Sequence, residues 1–66
     1  MAPAAIVELV RKILVVDRSM PKSRMAQEAG LSVNALNGIH DNFWNPNFRT
    51  LNKLEAYMIQ KGYADD

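Results

Sequence analysis

Three residues at fixed spacing, Ala26, Gly30 and Leu36, place the strongest constraint on how this chain folds. Two short helices that cross at a steep angle need a small residue where they touch, a glycine in the turn, and apolar side chains that pack both onto a common core. Glycine at such a turn adopts the left-handed conformation without a Cβ clash. The spacing therefore predicts one short helix from Pro21 to Ala29 and another from Val33 to Ile39.

Apolar residues at helical spacing predict two further helices. The first runs from Ala4 to Asp17, and its apolar surface is broader than one neighbouring helix would cover. That surface is either a wide core contact or a dimer seam. The last helix follows an N-cap at Asn45 or Asn47 and ends near Gly62. We expect a single all-α domain of four to five helices over residues 1–66, and the buried face of the last helix should include Phe48, Leu51, Leu54, Tyr57, Met58 and Ile59.

The composition excludes several classes of function. The chain has no cysteine and one histidine, His40, so neither a disulfide framework nor a set of metal ligands is expected. No nucleophile with a neighbouring base and no paired carboxylates occur at useful spacing, so we expect no enzyme and no cofactor. No apolar run approaches the roughly 20 residues of a membrane span, and the N-terminus lacks the basic region of a signal peptide. We therefore expect no membrane partner and a cytoplasmic location.

Charge is unevenly distributed along the chain. The formal net charge is +1, but residues 18–53 carry five Lys or Arg side chains against two Asp or Glu. Residues 1–17 balance to zero, and residues 54–66 are acidic. A basic central segment indicates that the middle of the chain meets an anionic partner.

Two segments occur in a diagnostic order: the predicted helix pair, and a Pro-x-x-x-Thr-Leu-x-x-Leu run in the following helix. With these segments the chain resembles, over residues 20–58, the lambda-repressor-like (Cro-type, XRE) helix-turn-helix family. The resemblance implies a sequence-specific regulator of transcription, a repressor by default, that binds a palindromic operator in double-stranded DNA as a homodimer and lies on the nucleoid when bound. The matching residues are Arg24-Met25-Ala26-Gln27-Glu28-Ala29-Gly30-Leu31-Ser32, Leu36, Ile39, Asn45-Pro46 and Arg49-Thr50-Leu51-Asn52-Lys53-Leu54.

The resemblance also implies which residues meet DNA. The second helix of the pair would lie in the major groove with Val33, Asn34 and Asn37 at the base edges. Asparagine can pair with adenine through two hydrogen bonds, and valine can pack on a thymine methyl group. Contacts to the phosphate backbone would fix the register without reading sequence. The backbone candidates are Lys22, Ser23, Ser32, His40, Asn42, Asn45, Arg49 and Lys53.

Some positions depart from the family pattern or leave alternatives open. Gly38 stands where a long side chain often reads a base, so either the helix ends there or the DNA comes very close. The chain ends near the place where a fifth helix would begin, so the dimer is expected to use the first helix or the end of the last. Trp44, with Phe43 and Phe48 nearby, either covers the small core or stacks on nucleobases.

An alternative function keeps the fold but changes the partner. A protein-interaction module, such as an antitoxin or a small adaptor, could use the helix pair to bind another protein. The DNA-binding hypothesis is also compatible with a regulatory protein partner. Polar Asn and Ser flanked by Lys and Arg favour DNA, whereas the apolar Val15, Val33 and Ala35 favour protein.

Overall fold

The computed structural model describes residues 2–64. Within that range it contains three α-helices and no strand: α1 (Pro3–Val16), α2 (Lys22–Glu28) and α3 (Phe48–Gln60). The expected all-α class is confirmed. None of these helices combines the length and the apolar composition needed to cross a bilayer.

Helix α1 begins at a proline, which suits the first turn because the missing N–H has no partner to lose there. The side chains that it buries, Ile6, Val10 and Ile13, recur at intervals of four and three residues and so form one face. The helix ends at Val16 and is capped by Asp17, whose Oδ1 accepts hydrogen bonds from the backbone N–H of Ser19 at 3.1 Å and from the Ser19 hydroxyl at 2.5 Å. The predicted span of Ala4 to Asp17 is therefore correct to within a residue at each end.

Glycines in the left-handed conformation close both α2 and α3. Gly30 and Gly62 each have φ of 80°. After α2, the Leu31 N–H donates to the Ala26 carbonyl at 2.8 Å, and the Gly30 N–H donates to the Gln27 carbonyl at 3.1 Å. These paired bonds form a Schellman motif, which satisfies carbonyls at the end of a helix. The turn predicted at Gly30 is confirmed.

The segment after that turn differs from the sequence prediction. Residues 33–40 form consecutive turns and not the expected helix from Val33 to Ile39. In this segment, backbone N–H groups donate to carbonyl oxygens three residues earlier, at N···O distances of 2.9–3.2 Å. The accepting carbonyls belong to every second residue, from Ser32 to Gly38. Asparagine and glycine are weak helix formers, and this segment holds two Asn and one Gly. Residues 2–64 thus contain three helices where four to five were expected.

The segment of turns, residues 33–40, nevertheless anchors itself in the core. Leu36 and Ile39 have no exposed surface, as predicted for the inner side of this element. Phe48 was expected on the buried face of α3, but this was wrong: it is the first residue of the helix and 75 % of its surface is exposed. The buried core consists of Ile6, Val10, Ile13, Met25, Ala26, Leu36, Ile39, Leu51, Leu54, Tyr57 and Met58.

Trp44 occupies the space beside Gly38. A Cβ atom added at Gly38 would lie 2.8 Å from Cδ1 of the indole. The indole is half-buried and packs against the core, in agreement with the structural role considered for it. The glycine therefore makes room for the indole of Trp44. Neither explanation offered for Gly38 from the sequence, the end of a helix or the close approach of DNA, included this contact.

Helices α2 and α3 are joined by Glu28. Its carboxylate accepts a hydrogen bond from Arg24 Nε at 2.9 Å and one from the Tyr57 hydroxyl at 3.1 Å, and Lys61 Nζ lies 3.7 Å away. The bond from Arg24, followed by that from Tyr57, lowers the pKa of Glu28. Burial and the hydrogen bond to Glu28 raise the pKa of Tyr57 to about 12. The polar ends of α2 and α3 are thereby held together.

Gly38→Ala should lower the free energy of unfolding by about 1–3 kcal/mol, because the methyl group would overlap a ring in a packed region. Urea denaturation followed by circular dichroism measures this. The matched control repeats the substitution in a Trp44→Leu background, where the ring is gone and the cost should fall. An equal cost in both backgrounds would mean that the indole does not limit this position.

Tyr57 should make stability fall at high pH. Its pKa is about 12 in the folded protein and about 10 when unfolded. The contribution is therefore complete below about pH 10 and is lost as the pH rises towards 12, by about 2–3 kcal/mol in total. Denaturant titrations of the native chain and of Tyr57→Phe over this range isolate the effect, and parallel curves would contradict it.

Glu28→Gln should lower the pKa of Tyr57, because it removes the carboxylate that accepts the phenol's hydrogen bond. The ultraviolet absorbance of the Tyr57 phenolate should therefore appear at lower pH.

Candidate nucleic-acid interface

The residues predicted to read bases, Val33, Asn34 and Asn37, lie on the segment of turns and are all exposed. Ser32, which was predicted to contact the phosphate backbone, directly precedes the segment and is exposed too, and we call these four residues the outer edge. The inner side of the segment contributes Leu36 and Ile39 to the core. Val33 is 41 % exposed, which leaves its methyl groups accessible to a partner. The edge is thus directed towards solvent.

Asn34 and Asn37 form a pair on the outer edge. The Asn37 side-chain amide donates to the Asn34 side-chain oxygen at 3.2 Å. The pair still presents the two amide donors of Asn34 and the carbonyl acceptor of Asn37. A donor and an acceptor side by side match the N7 acceptor and N6 donor of adenine in the major groove. The mutual bond also orients the two amides relative to each other.

Lys22 brings a positive charge beside this pair. Its Nζ lies 3.5 Å from the backbone carbonyl oxygen of Asn37, a long hydrogen bond at the surface. An ammonium group carries three donors, so Lys22 can bind a phosphate while keeping this contact. Ser23, the next residue of α2, is exposed. The structure therefore brings one predicted backbone contact, Lys22, directly to the predicted base-reading residues.

Lys53 has a role in the fold as well as a position near the site. Its Nζ donates to the Gly30 carbonyl at 2.9 Å and so connects α3 to the turn that precedes the outer edge. Arg49 lies one helical turn earlier on α3 and is exposed. In the part of the chain that the structure describes, Arg49 forms no ion pair. Arg24 and Lys61, by contrast, are engaged with Glu28.

The remaining backbone candidates lie in the loop that leads to α3. His40, Asn42 and Asn45 are exposed. Asn42 and Asn45 line a groove of about 300 Å³ between this loop and the first half of α1, whose lining includes no residue of the outer edge. The structure does not bring these two asparagines into contact with the outer edge.

Arg11 on α1 is a structural contributor that was not among the residues predicted to matter. Its Nε donates to the Ile39 carbonyl at 2.5 Å, and its Nη2 donates to the Asp41 carbonyl at 3.0 Å. Its Nη1 pairs with Glu8 at 3.2 Å. Arg11 thereby fixes the end of the segment of turns. No local pattern of residues indicates these bonds, since the bonded residues are 28 and 30 positions away.

Among the described residues, no group of three or more His, Cys, Asp or Glu side chains could hold a metal ion. The chemistry available at the outer edge is therefore that of amides, hydroxyls, a valine and nearby ammonium groups. This set suits hydrogen bonding to base edges and phosphates.

Comparison with known proteins adds no relative to this description. No family model matches the chain, no curated protein matches it, and no solved structure matches it.

Proposed function

We propose that this chain is a sequence-specific DNA-binding regulator of transcription that inserts its outer edge into the major groove of double-stranded DNA. The observation that carries the proposal is the Asn34–Asn37 pair, which is exposed and oriented on a segment whose opposite side is anchored in the core. Exposed amides with free donors and acceptors are suited to reading adenine. Anchoring keeps the ordering cost of binding low.

The proposed DNA-binding unit is a helix-turn-helix of the lambda-repressor-like type. Helix α2 is its first element, Gly30 forms its turn, and the segment of turns takes the place of the second helix. In support, the segment has no positive φ and its backbone bonds span three residues, as in right-handed turns. Turns bonded over three residues are close relatives of the α-helix. The segment can therefore present side chains to a groove as a short helix does.

The positive charges support the same orientation. Lys22 adjoins the outer edge, and Lys53 and Arg49 lie on α3, which is joined to the turn at Gly30. In the proposed complex these side chains bind phosphates on either side of the groove, and the exposed Ser23, Ser32, His40, Asn42 and Asn45 add further hydrogen bonds to the backbone. We place the protein in the cytoplasm, on the nucleoid when bound. It acts as a homodimer on palindromic half-sites, and it represses by occluding the promoter.

Asn34→Ala should weaken binding to the preferred duplex by about 1–3 kcal/mol and blur the preference at one base position, because a base-reading amide is lost. Selection of bound sequences from random duplexes supplies the preferred site, and fluorescence anisotropy then measures affinity for it and for a scrambled duplex. Asn52→Ala, an exposed asparagine on α3, is the matched control and should leave affinity unchanged. Equal loss on both duplexes would contradict base reading by Asn34.

Lys22→Ala should weaken all duplexes alike, since a phosphate contact carries no sequence information. The slope of log affinity against log salt concentration should decrease by about one. The matched control is Lys61→Ala, which removes an exposed lysine after α3 that belongs neither to the outer edge nor to the proposed phosphate contacts. An unchanged slope in Lys22→Ala would remove this residue from the interface.

Exposed aromatic side chains favour a second candidate function, a protein-interaction module of the antitoxin or adaptor kind. Phe43 is 91 % exposed and Phe48 is 75 % exposed. Large apolar side chains on a surface are typical of protein contacts. The selection experiment discriminates between the two functions: a DNA-binding regulator enriches one sequence family, whereas an adaptor enriches none even at low salt.

A further inference from the structure

The two asparagines of the outer edge are joined by two hydrogen bonds. The Asn37 backbone N–H donates to the Asn34 carbonyl at 3.2 Å, and the Asn37 side-chain amide donates to Asn34 Oδ1, also at 3.2 Å. Lys22 Nζ lies 3.5 Å from the backbone carbonyl oxygen of Asn37. These contacts involve both backbone and side chains, so they keep the two amides next to each other on an exposed surface.

The bond between the side chains divides the hydrogen-bonding groups of the pair. It uses Oδ1 of Asn34 as the acceptor and one amide N–H of Asn37 as the donor. Asn34 therefore keeps both of its amide N–H donors, and Asn37 keeps both lone pairs of its side-chain oxygen. The pair can thus offer a partner a donor from Asn34 and an acceptor from Asn37.

Adenine is the base whose edge in the major groove complements this donor and acceptor. Its N7 accepts a hydrogen bond and its N6 amino group donates one, whereas guanine presents two acceptors, N7 and O6. Of the two hydrogens on N6, one is used in pairing with thymine, and the other projects into the major groove on the N7 side. A contact between adenine and the side-chain oxygen of Asn37 therefore depends on this second hydrogen.

Methylation of adenine at N6 removes that hydrogen. In a paired base the methyl group lies on the N7 side, because the other position on N6 is occupied by the hydrogen that bonds to thymine. The oxygen of Asn37 would then meet a methyl group in place of a donor, while N7 could still accept from Asn34. An unpaired acceptor and a steric clash both oppose binding.

We propose that the outer edge distinguishes adenine from N6-methyladenine, so that methylation of one adenine in the recognised sequence weakens or prevents binding. The inference rests on the proposed function and deepens it, because it names the base that is read and a modification that regulates the same site. Asn37 is the residue that determines this specificity, since it accepts from N6. Asn34 donates to N7, which methylation leaves unchanged.

A scan of methylated duplexes tests the inference on the native chain. The preferred duplex from the selection experiment is synthesised with N6-methyladenine in place of one adenine at a time, and fluorescence anisotropy measures each affinity. At one position the affinity should fall by about 5–150-fold, the range expected for a specific base contact. The matched control carries N6-methyladenine outside the recognised sequence. Its affinity should not change, because the base is modified there without meeting the outer edge.

Two variants assign the two contacts to their side chains. In Asn37→Ala the acceptor is gone, so the unmodified duplex should bind more weakly and methylation should change its affinity by less than about twofold. The analogue 7-deazaadenine has a C–H group in place of N7, and it should weaken binding of the native chain but not of Asn34→Ala. Asn52→Ala, which removes an exposed asparagine from α3, should respond to both analogues like the native chain. Circular dichroism confirms that each variant is folded.

A preferred duplex whose affinity is unchanged by N6-methylation at every adenine would overturn the inference. So would a preferred sequence without adenine, or an Asn37→Ala variant that responds to methylation like the native chain. Failure of the proposed function is distinguishable from these outcomes, because the selection then enriches no sequence and the inference falls with it. In the other three cases the chain still binds a preferred duplex, so only the inference is refuted.

Discussion

The fold depends on cationic side chains that donate to backbone carbonyls around the segment of turns. An α-helix would bond each carbonyl to an N–H four residues on, but this segment bonds only every second carbonyl, and each of those accepts from an N–H three residues on. Arg11 supplies donors for the carbonyls of Ile39 and Asp41, Lys53 for that of Gly30, and Lys22 lies near that of Asn37. The bond from Arg11 to the Ile39 carbonyl is partly buried, and a buried carbonyl without a partner is costly, so Arg11 in particular permits a non-helical path beside the core.

This arrangement connects all three helices to the candidate interface. Arg11 comes from α1, Lys22 from α2 and Lys53 from α3, and each reaches the stretch between Gly30 and Asp41. The segment is also held from inside by Leu36 and Ile39, which have no exposed surface. The outer edge is therefore positioned by contacts from all three helices. Its backbone is anchored on the side opposite to the surface that its side chains present.

The sequence predicted the three helices because their signals are local. Apolar spacing located α1, Gly30 marked the end of α2, and Asn47, one of two expected N-caps, accepts from the Thr50 N–H at 2.8 Å. The helix expected from Val33 to Ile39 was wrong because Leu36 and Ile39 are three residues apart, a spacing that fits both a helix and a series of turns. What decides between them includes Arg11, 28 residues from Ile39 in sequence, and no local pattern reports that contact.

The candidate site could be predicted in its exposed residues but not in its bonding. The exposure of Val33, Asn34 and Asn37 follows from their positions relative to the buried Leu36 and Ile39. The hydrogen bond between the side chains of Asn34 and Asn37 depends on backbone geometry, which the sequence does not reveal. The packing of Trp44 against Gly38 could not be predicted from the sequence either, since a glycine does not specify which side chain occupies the space that its missing Cβ leaves. That contact has a practical consequence. The chain has a single tryptophan, so its intrinsic fluorescence comes from one indole that rests on the same short segment as the two asparagines. Any rearrangement there alters the polarity around the indole and shifts its emission wavelength, which gives the molecule a label-free optical reporter.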